Sequence, residues 1–298
     1  MQDKYLWLEE VLSEESLSWV KERSNETIKK ISQHKMFSEI EAKSLEIFAS
    51  KDKIPYVTIE GDFLYNLWTD HLNIQGLYRR TTIEEFLKPT PHWEILIDLD
   101  ELSSKENIKW VFNGFVLDRA HKKALVFLSP GGSDADIMRE FDVEKKIFVE
   151  NGFTLPESKG GAHWIDENTI RIERVFDEDS ATTSGYARTI RDLKRGESIE
   201  SAKIIFEVEK TDMVAGAQVF DDGHQLYFYL RKIIDFYHYE DFLIENGQLK
   251  KINLPQMAEN FGIVNGESIV ILHQDWGEYK AGDIISYHLA MNKCEKIF

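Results

Sequence analysis

Nine histidines, a single cysteine and 53 acidic side chains are the raw material for chemistry in this 298-residue chain. Their spacing matters more than their number. No H-E-x-x-H or comparable pattern puts two imidazoles on one metal. Cys294 stands alone, so neither an internal disulfide nor a thiolate zinc site can form. The acidic runs "DLDE" (98–101) and "DEDS" (177–180) lack the remaining ligands of a calcium loop and read as solvated turns. A serine hydrolase of the α/β type needs G-x-S-x-G, because a strained strand-to-helix turn must expose the hydroxyl. The nearest stretch, "GGSDAD" at Gly131 to Asp136, lacks the second glycine and reads as a hairpin turn between "ALVFLS" and "IMREFDV". His163 and His224, each beside a turn, read as structural. No glycine loop joins a strand to a helix in the manner of a phosphate site. Carboxylates for glycoside cleavage abound, but nothing singles out a pair. The residues therefore point to no catalytic group, no cofactor and no metal.

What remains is the framework. The net charge of -17 opposes binding to nucleic acid or an anionic membrane, where clustered Lys and Arg are needed. No apolar run approaches the ~20 residues of a membrane helix, and the N-terminus has no signal-peptide core, so the expected location is cytoplasmic. The opening "YLWLEEVLSEESLSWVKERSNETIKKI" reads as a helix with Ser13 as N-cap and Glu14 and Glu15 in the first turn. Leu17, Val20, Ile28 and Ile31 fall near one face, Trp19 points away from them, and Trp7 precedes the helix. Large aromatics off the stripe call for a second covering surface, which makes Trp7 and Trp19 the candidate partner-surface residues. A second helix is expected from about Lys35 to Ser50, and Pro55 ends the pattern. Residues 1–54 thus form a helical segment.

Residues 55–298 change texture to short apolar or alternating runs between Gly, Asp and Asn, which are strand and turn signals. Turn anchors at Gly61, Asp118, Asp166, Asp221 and Asn265 recur at spacings of 57, 48, 55 and 44 residues. Four-stranded propeller blades run ~40–50 residues each, and a β-sandwich would not explain the repeat. The expected fold is all-β: about five blades of a partial β-propeller, which, if the ring stays open, leaves the last strand near "IISYHL" as an unpaired edge.

Several stretches resemble the prolyl oligopeptidase family of serine peptidases. "DKYLWLEEVLSEESLSWVKERSN" (3–25), with Trp7-Leu8-Glu9, is similar to its N-terminal signature. "GLYRRTTIEEFLKPTPHWEILIDLDEL" (76–102), with Arg79-Arg80-Thr81-Thr82 and His92-Trp93, resembles its first-blade pattern. "REFDVEKKIFVENGFTLPESKGGAHWIDENT" and "TTSGYARTIRDLKRG" are similar to later blades of a bacterial branch. The resemblance implies a seven-bladed propeller that limits substrates to peptides, joined to an α/β-hydrolase domain carrying Ser, Asp and His. Here it runs to Phe298 without reaching that triad, so no catalytic residue carries over. It also implies that the N-terminal helices pack on the hydrolase. The expected partner is then that domain, or a separately encoded fragment of it, meeting Trp7 and Trp19. Self-association through the same surface and the terminal blades, and binding of peptides, are the other expected interactions. The alternative function is a stand-alone propeller that binds a peptide or protein without cleaving it.

Overall fold

The computed structural model describes residues 3–245 and 247–298. A short 3-10 turn, Leu6–Glu9, leads to helices α1 (Glu14–Ser32) and α2 (Lys35–Ala49). Ser13 caps α1 by accepting the Ser16 amide at 3.1 Å, as its position before two glutamates suggested. The two helices touch each other, yet the α1 stripe stays uncovered. Leu17, Val20, Ile28 and Ile31 are 53, 49, 62 and 51% exposed.

Five antiparallel sheets follow, each a meander of consecutive strands. Blade 1 contains β1 (Thr58–Glu60), β2 (Phe63–Trp68), β3 (Leu77–Thr82) and β4 (Glu94–Asp98), with a one-turn α3 (Ile83–Phe86) between β3 and β4. Helix α4 (Leu99–Glu106) leads into blade 2: β5 (Trp110–Leu117), β6 (Lys123–Pro130), β7 (Asp136–Asp142), β8 (Ile147–Phe148) and β9 (Thr154–Ser158). There β8 is short, and β9 pairs with the rest of β7. Blade 3 holds β10 (Gly160–Asp166), β11 (Thr169–Arg174), β12 (Thr189–Lys194) and β13 (Lys203–Glu207). Blade 4 holds β14 (Val214–Asp221), β15 (Leu226–Ile233), β16 (Tyr239–Glu245) and β17 (Gln248–Lys251). Blade 5 holds β18 (Ala258–Val264), β19 (Glu267–Leu272), β20 (Ile284–His288) and β21 (Lys293–Lys296).

The core lies between sheets, because strand side chains alternate and both faces of an inner blade are apolar. On β6, Ala124, Val126 and Leu128 join Tyr65, Tyr78 and Ile97 of blade 1. The intervening Leu125 and Phe127 join Trp164, Ile170 and Ile172 of blade 3. Further clusters unite Ile190 and Phe206 with Ala215 and Leu230, then Tyr229 and Leu243 with Ile263 and Tyr287. The packing is serial: among the described residues, each cluster joins residues of one blade or of consecutive blades.

Charged pairs cross these apolar junctions. Fully buried Arg174 on β11 reaches Asp136 of β7 at 2.9 Å and donates to the carbonyls of Asp136 and Ser158. Glu140 of β7, also buried, receives Arg195 bidentately at 2.7 and 3.1 Å and the Phe153 amide at 2.8 Å, with Lys123 at 3.3 Å. Burial alone would push Glu140 upward. These donors outweigh it and hold the carboxyl below the usual range.

Two expectations need correction. "DLDE" is no solvated turn: Asp98 caps α4 through the Glu101 amide, Leu99 is fully buried, and Asp100 accepts the Gln75 and Gly76 amides. A cap and a buried leucine turn an acidic run into a helix start. Nor is "IISYHL" the edge, since β20 pairs on its other side with β21, whose polar sequence hid it.

Leu125→Ala should cost about 3 kcal/mol in chemical denaturation, since β6 is covered on both sides and cannot collapse into the void. Glu140→Gln should cost about 3 kcal/mol near neutral pH by stranding Arg195 and Lys123. The native carboxyl lies low, so its contribution is full above the unfolded value of ~4.3 and is lost as pH falls through the native one. The wild-type chain should therefore lose more stability on acidification than Glu140→Gln; equal losses would refute the pairing.

Candidate functional site

The first strands of neighbouring blades lie side by side: β5 against β10, β10 against β14, and β14 against β18. They line the inner side of the stack, and short, largely exposed strands such as β8, β17 and β21 form its outer rim. Each first strand turns into the second through a tight hairpin, and all five turn anchors of the sequence repeat fall in these hairpins. Aspartates build those of blades 2, 3 and 4. Asp118 accepts the Lys122 and Lys123 amides at 2.8 and 3.0 Å, Asp166 the Asn168 amide at 2.8 Å, and Asp221 the Gly223 amide at 2.9 Å. In the fourth blade Asp222 accepts the His224 and Gln225 amides and the Tyr227 hydroxyl, each at 2.9 Å, and these bonds hold it at about 2. The turn acids thus serve as acceptors for the hairpin backbone, which is a folding role.

Hairpins of blades 1 to 4 enclose a cavity of about 790 Å³ at this end of the inner strands. Its lining mixes signs, with Glu60, Asp118, Asp166 and Glu167 beside Arg119 and Lys122. The tip of the second blade reaches farthest. On one side the His121 ring rests on Gly61 of blade 1, so close that a Cβ there would meet it at 2.6 Å. On the other, Arg119 pairs with Asp221 of blade 4 at 3.2 Å, passing over blade 3. One six-residue tip, 118–123, therefore braces three blades across the mouth. Chemically, the lining offers ionic contacts of both signs, and among its described residues no nucleophile is set beside a base.

Trp7 and Trp19 do not stand at this mouth. Their rings meet edge to face with centroids 6.1 Å apart, Tyr5 lies 6.0 Å from Trp19, and both indoles are half-buried. The aromatics thus cover one another in part, and the aliphatic stripe of α1 is the barer surface. "GGSDAD" is the β6–β7 turn as read, and its last residue, Asp136, is the buried partner of Arg174. "DEDS" forms a capping box in which Asp177 and the buried Ser180 bond reciprocally. His163 lines the cavity 3.7 Å from Glu173, and His224 sits exposed in its turn. Among the described residues, no three His, Cys, Asp or Glu side chains gather as metal ligands. No described helix is long and apolar enough to cross a membrane. Arg119 and His121 escaped sequence reasoning; the only signal was that their turn, "DRAHKK", is in phase with the repeat.

Gly61→Ala should cost about 1–2 kcal/mol, because φ is +59° there and the new methyl meets His121. In a double-mutant cycle with His121→Ala, part of that cost should disappear. Strict additivity would show that the two hairpins do not touch.

Comparison with known proteins agrees with this architecture. Residues 1–275 match the family described as prolyl oligopeptidase, N-terminal beta-propeller domain. An uncharacterized peptidase of Sinorhizobium fredii is 35% identical over 96% of this chain and 41% of its own length. One from Rickettsia prowazekii is 33% identical over 95% of this chain and 42% of its own. The solved structure of a post-proline cleaving enzyme from Rickettsia typhi superposes with a TM-score of 0.89 at 33% identity, over 98% of this chain and 46% of that one. The chain spans less than half the length of each of these relatives. The helical start, the serial four-stranded blades and these matches place the chain in the prolyl oligopeptidase family, as its N-terminal β-propeller portion.

Proposed function

We propose that this chain is the access-controlling part of a peptidase that cleaves short peptides, with the hydrolytic groups supplied by an α/β-hydrolase domain. The observation that carries the reading is the hairpin-ringed mouth, where the 118–123 tip bridges blades 1 and 4. A passage ringed by hairpins passes an extended peptide and rejects a folded protein on size alone. The ion pair is exposed on both sides and contributes roughly 0.2–1 kcal/mol, so it is weak enough to open on a substrate's approach. The hydrolase domain would seat on the bare stripe of α1 near Trp7 and Trp19, supplying the cover that Leu17, Val20, Ile28 and Ile31 lack. Burying one such aliphatic side chain contributes about 1.5–3 kcal/mol.

The purified chain should not turn over a prolyl-peptide reporter; turnover blocked by a serine-directed inhibitor would overturn the division of labour. For the gate, the chain would replace the matched portion of the Sinorhizobium fredii peptidase. The chimera should cleave short peptides and spare a folded protein containing the same site. Arg119→Ala should raise the rate on longer peptides more than on short ones. Equal cleavage of peptide and folded protein by the chimera would end the gating proposal.

A further inference from the structure

The helical segment is joined to the blades through one ammonium. Among the described residues, none of α1 or α2 enters the apolar clusters between the sheets. What sets the position of these helices must then lie in the connection between α2 and β1. Lys53 stands there, half-buried. Its Nζ donates to the Phe48 carbonyl at 3.0 Å and to the Thr69 carbonyl, with the Thr69 hydroxyl at 3.4 Å. The Trp68 indole lies against the same ammonium, its ring centroid 5.3 Å away. An ammonium has three hydrogens to give, and this one spends them on both sides of the connection.

Each acceptor is one that the regular structure leaves open. Phe48 is in the last turn of α2, where the final carbonyls have no helical amide to accept. Those carbonyls also form the negative end of the helix dipole, a place that favours a cation. Thr69 follows directly on β2, whose ladder with β3 ends at Trp68.

The blade side of the joint is itself fixed. Trp68 donates its indole N–H to Asp70 at 2.9 Å and carries the Arg79 guanidinium 4.4 Å from its ring centroid. Buried Asn66 accepts from Arg79 Nε at 3.0 Å and donates to the Tyr56 carbonyl at 2.7 Å. The connection is therefore tied to blade 1 at two points, Lys53 and Tyr56. Between them Pro55 fixes its own φ and holds Ile54 extended. Residues 53–56 make a short strut lying on blade 1. Helix α2 reaches that strut by two routes only, residues 50–52 of the chain and the Lys53 ammonium.

We infer that Lys53 is a pin that locks the helical segment to blade 1. With it in place, α2, the α1 that touches it, and the first blade move as one body, and whatever binds α1 is presented at a fixed angle to the stack. Without it, residues 50–52 are a swivel. The inference concerns this chain alone and holds whether or not a hydrolase domain seats on α1.

Pulsed electron spin resonance on the whole chain tests this. Nitroxides are placed at Glu41→Cys on α2 and Ser104→Cys on α4, both exposed positions, in a Cys294→Ser background. With Lys53 present the distance distribution should be single and narrow. Lys53→Met keeps the apolar stem and removes the donors, so it should widen the distribution about twofold or more while thermal unfolding of the blades is unchanged. Lys53→Arg, which can still donate on both sides, should restore the narrow distribution. If Lys53→Met loses the native far-ultraviolet circular dichroism, Lys53→Gln, one bond too short to span both carbonyls, carries the same test. Equal widths with and without the ammonium, whether narrow or broad, overturn the inference. So does broadening that Lys53→Arg fails to reverse, which would assign the joint to the shape of the stem rather than to its charge.

Discussion

A four-stranded sheet with apolar side chains on both faces cannot exist alone in water, and everything else in this molecule follows from that. Strand β6 is buried on two sides because it lies between two other sheets. Its even- and odd-numbered residues belong to different cores, so a register slip of one residue would exchange them. The sheets must therefore stack, and the natural twist between them bends the stack around its first strands. The inner mouth is a by-product of that bend. Its hairpins gather because every blade runs its first strand in the same sense.

The same constraint explains the charges at the junctions. A guanidinium at an apolar junction is costly unless a carboxylate meets it, and removing either member would leave the other stranded. Arg174 with Asp136, and Arg195 with Glu140, set the lateral position of one sheet on the next, which leucines and isoleucines alone would leave loosely specified. Arg79 of blade 1 is held differently. The indoles of Trp68 and Trp93 shield it from water, and the acceptor it bonds, Asn66, carries no charge.

Much of this was legible beforehand. The five turn anchors mark the same hairpin in each blade, because a tight reversal demands Asp, Asn or Gly wherever it occurs and leaves a phase in the sequence. The helical start was readable from its cap and stripe. The outer strands were not: β8 has two residues and β21 reads "KCEK", so neither carries an apolar alternation. The braced mouth was hidden for a different reason. Arg119 and Asp221 are each ordinary turn residues, and only the curvature of the stack brings them together. Trp7 and Trp19 are read from the sequence as calling for a partner's cover; in the fold part of their cover is each other, a local contact across the α1 start.

The bridge from Arg119 to Asp221 also has a place in time. Most pairings in this fold join chain neighbours, so each blade can zip up early from its own hairpins at small entropic cost. That one contact spans 102 residues and exists only when three consecutive blades have formed and taken their places. It must be among the last to form and, being exposed and weak, among the first to break. The molecule thus carries at its mouth a marker of finished assembly, which a chain with any of those three blades still unfolded cannot display.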